Sequence, residues 1–568
     1  MKLNTDRQGV KINDYLWEIP PSEKPGMLVP ARIYASAAIL GAMDRGVFDQ
    51  VTNVACLPGI HRYALCMPDG HWGYGFPIGG VAAFNPEDGV ISPGGVGYDI
   101  NCGMRLIRTD LSLSEVQPKL ELLMTELFRR VPAGVGSRGF VNLSRHDFRD
   151  VMRQGAGWCI SKGYGWEEDL ERIEERGCLE GADPTHVTDY AIERGINQLG
   201  TLGSGNHYLE IQVLSDKGIY DRATAAAMGL TGHDQVVVMV HCGSRGFGHQ
   251  VASDYLKVFE KAMRRYGISV KDQQLACAPF RSPEGQDYFG AMNCAANTAF
   301  ANRQVITHQI REAFEAVFGE SARRLGMQLI YDVAHNIAKV ERYRDGEWLV
   351  HRKGATRAFG PGSPELPACY RGIGQPVICG GSMETGSYLL VGTDRAMQET
   401  FGSTMHGSGR TMSRAQAKRT VRGEQLMRDM KQHGILVKAV SMSGLAEEAG
   451  FAYKNISDVV ETVDHAGITK KSSGTQTNRQ YKGLTAYAPG THARLPRNRR
   501  QSLSPPNQHR PTTEQRQHER FPAQFRSAFS SVNRVEGEGT VVDLSLRGCG
   551  IVSQTAIHPG TTLTLRIH

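Results

Sequence analysis

The chain lacks any apolar run long enough to cross a membrane. Its strongest apolar stretch, VVVMV at residues 236–240, is far shorter than the ~20 residues of a membrane helix. The first 20 residues lack the apolar segment of a secretory signal. The 11 cysteines are odd in number and form no C-x-x-C pair, which is typical of reduced thiols. We therefore expect a cytoplasmic protein without a membrane partner.

Most of the chain also lacks an excess of charge of either sign. The formal net charge is +7, and residues 484–534 alone hold nine Arg against two acidic residues. Residues 535–568 hold two Arg against three acids, which leaves residues 1–483 close to neutral. Any affinity of the main body for nucleic acid must therefore come from a local basic groove rather than from a global field.

Two architectural signals are absent as well: the sequence has no internal repeat and no G-x-G-x-x-G motif at the start of a helix. Helical and strand-like patterns alternate irregularly, which favours an α+β fold over a doubly wound sheet. Helical periodicity covers residues 36–49, 114–131, 252–266, 298–318 and 413–432. Strand-like runs cover residues 80–84, 235–240, 327–333, 376–379 and 388–391.

The composition changes after Gly483. Residues 493–517 are rich in Arg, Pro, Ser and Gln and have few large apolar side chains, which is typical of a disordered linker. Apolar alternation then returns over residues 539–545, 550–552 and 561–567. We therefore predict one large catalytic domain over residues 1–483, a basic linker over 484–515 and a small all-β module over 516–568. The last module is short for a complete domain.

Candidate metal ligands occur at turns next to strand-like runs. GGVGYDINCGMR (residues 94–105) places Asp99 and Cys102 three positions apart in a glycine-rich turn. A carboxylate and a thiolate at this spacing can bind one cation. Taken alone, the pair equally fits a capping aspartate and a buried structural cysteine.

Three histidines share this setting. His207 precedes a strand, His241 ends a β-branched run and His335 follows a strand. One histidine at a strand end is more often structural, but three of them next to glycine or asparagine indicate a shared cleft. Imidazole, thiolate and carboxylate together suit Mn, Zn or Fe, and the residues do not choose among these metals.

His406 lies in a run of small residues, TMHGSGR (residues 404–410), that allows a bulky ligand to approach. A histidine in a phosphate-binding loop can act as a covalent nucleophile, although a loop histidine bonded to backbone is the commoner case. The ligand set and this loop together indicate metal-dependent phosphoryl transfer. Two metals about 3.5–4 Å apart would fit the number of ligands.

The whole set of motifs resembles one family, the RtcB RNA ligases. The matching blocks, in family order, are LCMPDGHWGYGFPIGG (65–80), GGVGYDINCGMR (94–105), LGSGNHYLE (202–210), HCGSRGFG (241–248), YDVAHN (331–336), GGSM (380–383), HGSGR (406–410) and YKG (481–483). The resemblance covers roughly residues 1–483 and implies a single catalytic domain of mixed sheets and helices around a central metal cleft.

The resemblance also implies a chemistry. His406 would be guanylated by GTP, and the guanylyl group would pass to an RNA 3′-phosphate, to which a 5′-hydroxyl is then joined. A 2′,3′-cyclic phosphate would first be hydrolysed at the same site. The implied substrates are tRNA halves or broken RNA. The implied ligands of two Mn ions, with the thiolate bridging, are Asp99, Cys102, His207, His241 and His335.

The nucleotide contacts follow from the same resemblance. The implied GTP-binding residues are Asn206, Glu210, Asn336, Gly380, Gly381, Ser382, Met383, Ser387, Gly407, Ser408, Gly409, Tyr453 and Lys482, and the implied phosphate or RNA contacts are Arg245 and Arg410. One position departs from the family pattern, because Glu384 follows GGSM where the family usually has glycine. An acid there would weaken phosphate contacts if it pointed inward. The alternative function is a di-metal phosphoesterase that hydrolyses RNA ends without joining them.

The last segment resembles a PilZ domain, a family that binds cyclic di-GMP. Arg516 and Arg520 match its R-x-x-x-R motif, and Asp543, Ser545 and Gly548 match its D-x-S-x-x-G motif. Arginine suits such a ligand because its planar group binds phosphate and stacks on bases. The alternative is a truncated relic on a basic tail that holds RNA phosphates weakly.

Overall fold

The structure is a computed structural model that describes residues 9–475 and the backbone of four later strands. The chain divides into two units, Met1–His492 and Ala493–His568. The first unit mixes helices and sheets, as the irregular alternation of patterns predicts. Within the described ranges, none of the helices combines the length and apolarity needed to span a membrane.

The elements of the first unit are numbered in chain order. The strands are β1 Val10–Asn13, β2 Leu16–Ile19, β3 Ala31–Tyr34, β4 Ile60–His71, β5 Ile78–Phe84, β6 Val90–Ile91, β7 Gly103–Ser112, β8 Tyr208–Leu214, β9 Gln235–Cys242, β10 Ala278–Pro279, β11 Leu329–Ala334, β12 Asn336–Tyr343, β13 Gly346–Lys353, β14 Ala355–Arg357, β15 Pro376–Cys379, β16 Tyr388–Gly392, β17 Ser403–Met405 and β18 Thr469–Gly474. The helices are α1 Ala37–Ala42, α2 Arg45–Val54, α3 Leu113–Val116, α4 Leu120–Arg130, α5 Arg145–Gln154, α6 Ala156–Ser161, α7 Glu167–Leu170, α8 Asp189–Gly195, α9 Arg222–Ala227, α10 Arg245–Arg265, α11 Pro283–Phe318, α12 Asp394–Glu399, α13 Arg414–Thr420, α14 Gly423–Gln432, α15 Met442–Glu447 and α16 Ile456–His465.

Two larger sheets organise this unit. One has seven strands in the order β1-β2-β3-β4-β5-β13-β12, and the other has four in the order β11-β7-β9-β8. Neighbours in the four-stranded sheet are all antiparallel. Antiparallel pairing places the start of one strand beside the end of the next. Loops at one edge of this sheet therefore come from distant parts of the sequence.

The longest helix, α11, has 36 residues and runs through the interior. Ser282 caps its start by accepting a hydrogen bond from the Gly285 amide, and Gly319 ends it with a φ of 76°. Most of its side chains are buried, including the polar Asn302 and Arg303. Buried polar groups need partners, and these two find them in the loops at the edge of the four-stranded sheet.

Several predicted helices differ from the observed ones. The helix predicted over residues 36–49 is two helices, because the Asp44 side chain caps the start of α2. The one predicted over 114–131 is interrupted at Pro118, and the one over 413–432 divides between α13 and α14. Helices α10 and α11 begin well before residues 252 and 298. In α11, residues 290–298 are all buried, so this part of the helix has no polar face to reveal it in the sequence.

The second unit is described only through the backbone of four strands. They are β19 Phe521–Ser531, β20 Glu536–Ser545, β21 Gly548–Ser553 and β22 Leu563–Ile567. They form one antiparallel sheet in the order β21-β20-β19-β22. The last three overlap the predicted strands, and β19 was not predicted. Lys482, the predicted linker, Arg516 and Arg520 lie outside the described residues.

Candidate active site

Four of the predicted metal ligands lie at one edge of the four-stranded sheet. Cys102 directly precedes β7 and His207 directly precedes β8, whereas His241 lies at the end of β9 and His335 directly follows β11. Because neighbouring strands are antiparallel, two strand starts and two strand ends meet at this edge. The topology thereby brings together side chains that are up to 233 positions apart in the sequence.

The ligand atoms are in mutual contact. Cys102 Sγ lies 3.3 Å from His207 Nε2 and 3.2 Å from His241 Nε2. His241 Nε2 lies 3.2 Å from His335 Nε2, and His207 Nε2 lies 2.8 Å from Asp99 Oδ2. The five predicted ligands therefore form one continuous cluster, and Cys102, His207 and His241 alone place their ligand atoms within 4.8 Å of one another.

Burial controls the protonation of this cluster. It holds the pKa of His241 and of His335 well below the usual value, so both imidazoles are neutral. Burial also opposes charge on His207, but Cys102 and Asp99 beside it raise the pKa of this histidine well above its usual value. Burial and the Asp99 carboxylate raise the pKa of the Cys102 thiol to about 12.

The residues fit a divalent cation. The His207 Nδ1 lies 3.1 Å from the Leu202 carbonyl, an arrangement that directs Nε2 towards Asp99 and Cys102. Imidazole, carboxylate and thiolate groups are the donor set of a transition-metal site. A bound cation would displace the protons that Cys102 and His207 favour in its absence, because the thiolate and the neutral imidazole are the ligands. The donor types do not single out manganese.

His406 follows β17 and lies beside the cluster. Its ring centroid is 4.7 Å from that of His335. Asp69 Oδ2 lies 2.6 Å from His406 Nδ1 and accepts a hydrogen bond from the His406 backbone amide at 3.0 Å. The carboxylate fixes Nδ1 as the protonated nitrogen, so the lone pair of the neutral ring is on Nε2. Nε2 is therefore the nitrogen available to attack an electrophile.

Two further residues hold Asp69 in place. Lys454 is partly buried, and its ammonium group donates hydrogen bonds to the carbonyls of Pro68 and Gly70, the two neighbours of Asp69. Burial lowers the pKa of Lys454 to about 8. Gly409 has a φ of 70°, and a Cβ there would lie 2.0 Å from the Asp69 carbonyl oxygen. Only glycine fits at this approach.

The predicted nucleotide-binding segments lie side by side next to His406. Gly380 and Gly407 form a β-bridge, and the Ser408 amide donates to the Gly380 carbonyl at 3.1 Å. Ser382 and Met383 are buried in the same loop. Gly381 donates its amide to the Ser387 hydroxyl at 3.3 Å. The structure thereby joins the GGSM and HGSGR motifs into one surface rich in small residues.

Glu210 and Ser387 are held by a residue that the sequence analysis missed. The Gln212 amide donates to Glu210 Oε2 at 2.7 Å and to Ser387 Oγ at 2.9 Å. All three side chains are buried. Gln212 therefore fixes a carboxylate and a hydroxyl, two groups able to recognise the polar edge of a base.

Arg410 is bound to protein groups in this structure. Its guanidinium donates to Glu448 at 2.9 Å, to the Tyr453 hydroxyl at 2.9 Å and to the Glu447 carbonyl at 2.8 Å. Glu448 is buried and also accepts a hydrogen bond from Arg414. The predicted phosphate contact of Arg410 stays a prediction, and its observed contacts hold Tyr453 in the nucleotide-binding region.

The remaining predicted residues lie around the metal cluster. The Asn336 amide donates to the Asp99 carbonyl at 3.0 Å, and its carbonyl oxygen accepts from Gly354. Asn206 directly precedes His207. Arg245, at the start of α10, donates to the Thr201 hydroxyl at 3.2 Å and to the Gly134 carbonyl at 3.3 Å.

Glu384, the acid that follows GGSM, binds a backbone amide. Its carboxylate accepts a hydrogen bond from the Gly450 amide at 2.8 Å, and the side chain is exposed. The acid that departs from the expected pattern therefore has a backbone amide of the protein as its partner. It connects the GGSM loop to the segment that leads to Tyr453.

Comparison with known proteins identifies the family. A family model described as tRNA-splicing ligase RtcB matches residues 50–483. A protein of Archaeoglobus fulgidus named tRNA-splicing ligase RtcB is 54% identical over 464 residues, which are 81% of this chain and 96% of that protein. A protein of the same name from Thermococcus kodakarensis is 54% identical over 463 residues, 81% of this chain and 95% of that protein. The chain belongs to the RtcB family.

The RtcB match includes every predicted site residue from Asp99 to Lys482. A second family model, the PilZ domain, matches residues 514–568. This match begins just before Arg516 and includes the other four residues of the predicted cyclic di-GMP motifs. The expected combination of an RtcB domain with a C-terminal PilZ segment is therefore confirmed.

Proposed function

We propose that this protein joins RNA ends with GTP and Mn²⁺ through a guanylated histidine. The names of its relatives support an RNA ligase. The observation that carries the finer proposal is His406, whose Nδ1 is bound by Asp69 and whose ring lies against the candidate metal cluster. A hydrolase would need the cations but no histidine prepared as a nucleophile.

The first step is guanylation of the enzyme. His406 Nε2 attacks the α-phosphorus of GTP, a nitrogen–phosphorus bond forms, and the bond to the β-phosphate breaks to release pyrophosphate. Asp69 retains the hydrogen bond to Nδ1–H and stabilises the positive charge that develops on the ring. Asp99, Cys102, His207, His241 and His335 would hold the Mn²⁺, which would supply positive charge that neutralises the phosphoryl oxygens.

The guanylyl group then passes to RNA. An oxygen of the RNA 3′-phosphate attacks the phosphorus on His406, and the neutral imidazole leaves. The 5′-hydroxyl of the second RNA attacks the activated 3′-phosphorus, and GMP departs. GMP is a better leaving group than an oxygen of the unactivated 3′-phosphate. A 2′,3′-cyclic phosphate end is first opened by water to the 3′-phosphate. The substrates proposed are tRNA halves or broken RNA.

The nucleotide-binding region supports guanine as the base. Guanine carries two adjacent N–H donors on one edge, which match a carboxylate such as that of Glu210. Gln212 holds that carboxylate beside Ser387. The small residues of the GGSM and HGSGR motifs leave room for phosphates near His406. We assign the remaining GTP contacts, including Asn206, from the family resemblance.

An end-joining assay separates the ligase from the phosphoesterase. Purified protein is incubated with Mn²⁺, GTP and two labelled RNAs, one ending in a 2′,3′-cyclic phosphate and one beginning with a 5′-hydroxyl. We expect a joined product that requires GTP. Conversion of the cyclic end to a 3′-phosphate without joining, at a rate independent of GTP, would instead establish the phosphoesterase.

A second proposal concerns the PilZ segment, which we propose binds cyclic di-GMP. The match to the PilZ model and the motif residues from Arg516 to Gly548 support this assignment. We expect the full chain to bind cyclic di-GMP in calorimetry, and the double variant Arg516→Ala, Arg520→Ala to bind at least tenfold more weakly, since hydrogen bonds between arginine and phosphate are charge-assisted. Equal binding by the variant, or none by wild type, would contradict it.

A further inference from the structure

One buried guanidinium, that of Arg303, lies beneath the candidate metal centre. Arg303 belongs to α11, and its exposed fraction is 0%. A guanidinium has five N–H donors. Arg303 makes five hydrogen bonds, two of them from Nη1, two from Nη2 and one from Nε. Its donor capacity is therefore fully used inside the protein.

Three of these hydrogen bonds reach segments that carry metal ligands. Nη1 donates to the Asn101 carbonyl at 2.7 Å and to the Cys242 carbonyl at 2.9 Å. Nη2 donates to Asn101 Oδ1 at 3.1 Å. Asn101 directly precedes Cys102, and Cys242 directly follows His241. The rigid planar guanidinium thus fixes the turn that carries Cys102 relative to the strand end that carries His241.

The other two hydrogen bonds reach a third ligand-bearing segment. Arg303 Nε and Nη2 bind the two carboxylate oxygens of Asp332, each at 2.8 Å. Asp332 lies in β11, three positions before His335, and also accepts a hydrogen bond from Arg105 at 2.6 Å. The ion pair is completely buried. Arg303 therefore connects β11, which leads to His335, with the segments that carry Cys102 and His241.

The turn that Arg303 holds has an unfavourable backbone conformation. Asn101 has a φ of 53°, in the left-handed region that non-glycine residues rarely adopt. This turn allows the Cys102 amide to donate to the Asp99 carbonyl at 3.0 Å. The same turn places the side chains of both Asp99 and Cys102 in contact with His207. Arg303 binds the carbonyl and the side-chain oxygen of Asn101 and so stabilises the conformation.

We infer that Arg303 is a positioning residue of the metal centre: it sets the relative placement of Cys102, His241 and His335 before a cation binds. This inference rests on the proposed function, because it takes the cluster to bind Mn²⁺. Residues that orient metal ligands typically change metal affinity by about 10–100-fold when replaced. Arg303 does so through three chain segments at once, two by backbone carbonyls and one by the Asp332 carboxylate.

Arg303→Lys is the test variant, and Arg311→Lys is its matched control. Lysine keeps the charge but replaces a planar five-donor group with a single three-donor nitrogen. Arg311 lies on the same helix, is buried, and binds both oxygens of Asp169 at 2.7 Å and the Met327 carbonyl. It therefore has a similar ion pair, but its hydrogen bonds go to no segment adjacent to a ligand of the cluster.

Mn²⁺ binding to each metal-stripped full-length protein is measured by the electron paramagnetic resonance signal of free Mn²⁺, with melting temperature recorded in parallel. We expect both variants to lose thermal stability, but only Arg303→Lys to bind Mn²⁺ about 10–100-fold more weakly. Its joining activity should recover as Mn²⁺ is raised. Equal Mn²⁺ affinity in the two variants would overturn the inference.

A second variant covers the case in which Arg303→Lys does not fold. Asn101→Gly keeps the left-handed turn accessible and removes only the side-chain contacts of Asn101, including the one to Arg303. We expect it to bind Mn²⁺ more weakly than both wild type and Arg311→Lys; an affinity equal to that of wild type would overturn the inference. A wild-type protein that binds no Mn²⁺ would overturn the proposed metal centre itself, an outcome distinct from equal binding by all variants.

Discussion

Replacing Cys102 with alanine should abolish RNA joining and the stabilisation of the protein by Mn²⁺. Cys102 Sγ contacts both His207 and His241, so its loss removes the atom that connects these two ligands. Metal stabilisation of phosphoryl charge contributes several kcal/mol, which corresponds to a rate loss of roughly 10³-fold or more. Joining rates and melting temperatures with and without Mn²⁺ measure both effects.

The matched control for this prediction is Cys159→Ala. Cys159 is as fully buried as Cys102, but its thiol donates to the Ala301 carbonyl rather than contacting a ligand of the cluster. We expect the control to melt somewhat earlier and still gain stability from Mn²⁺, about 2.7 kcal/mol at a concentration 100 times the dissociation constant. A Cys102→Ala protein with the same Mn²⁺-dependent gain would rule out the shared ligand.

Replacing Asp69 with alanine should slow guanylation of His406 by about 10²–10⁴-fold, the usual range for a group that controls proton placement at a reacting atom. The carboxylate holds the Nδ1–H tautomer and stabilises the imidazolium that forms during attack. Single-turnover formation of labelled protein from α-labelled GTP measures the rate. The substitution should lower the rate constant of guanylation more than it lowers the affinity of the protein for GTP.

Asp69→Asn separates charge from geometry. The asparagine oxygen can still accept the hydrogen bond from the His406 amide, so the local backbone should remain in place. It carries no charge to stabilise an imidazolium, and we expect an intermediate rate. If both variants were labelled as fast as wild type, Asp69 would have no part in activating the histidine.

The metal cluster could be predicted from the sequence because each ligand is marked locally. Cys102, His207, His241 and His335 all lie at strand ends within two positions of glycine or asparagine, and the antiparallel pairing of their strands brings them together. The structure places all five predicted ligands in contact. Their roles toward manganese stay predictions.

The supporting residues could not be predicted in the same way. Asp69 lies 337 positions from His406 in the chain and within a Pro-Asp-Gly sequence that indicates only a turn. Arg303 lies in the interior of α11, where residues 299–307 are all buried, so the hydrophobic pattern does not single it out. Such residues act through contacts to distant segments, and no local pattern records those contacts.

The side-chain contacts of Arg410 and Glu384 could not be predicted from their motifs. The position of Arg410 after HGSG predicts a phosphate contact, but the sequence does not show that a buried carboxylate, Glu448, lies within 2.9 Å. Glu384 similarly follows the GGSM motif, and its carboxylate accepts a hydrogen bond from the Gly450 amide. In both cases the direction of the side chain depends on the segment over residues 447–453, whose placement no nearby motif predicts.

The most direct test of the account is covalent labelling of the protein with α-labelled GTP and Mn²⁺. Wild type should retain one guanylyl group that survives denaturation in alkali and disappears on addition of RNA 3′-phosphate, while a folded His406→Ala variant should retain none. Label that persists in the variant, or a wild type that joins RNA without ever becoming labelled, would contradict nucleophilic catalysis by this histidine.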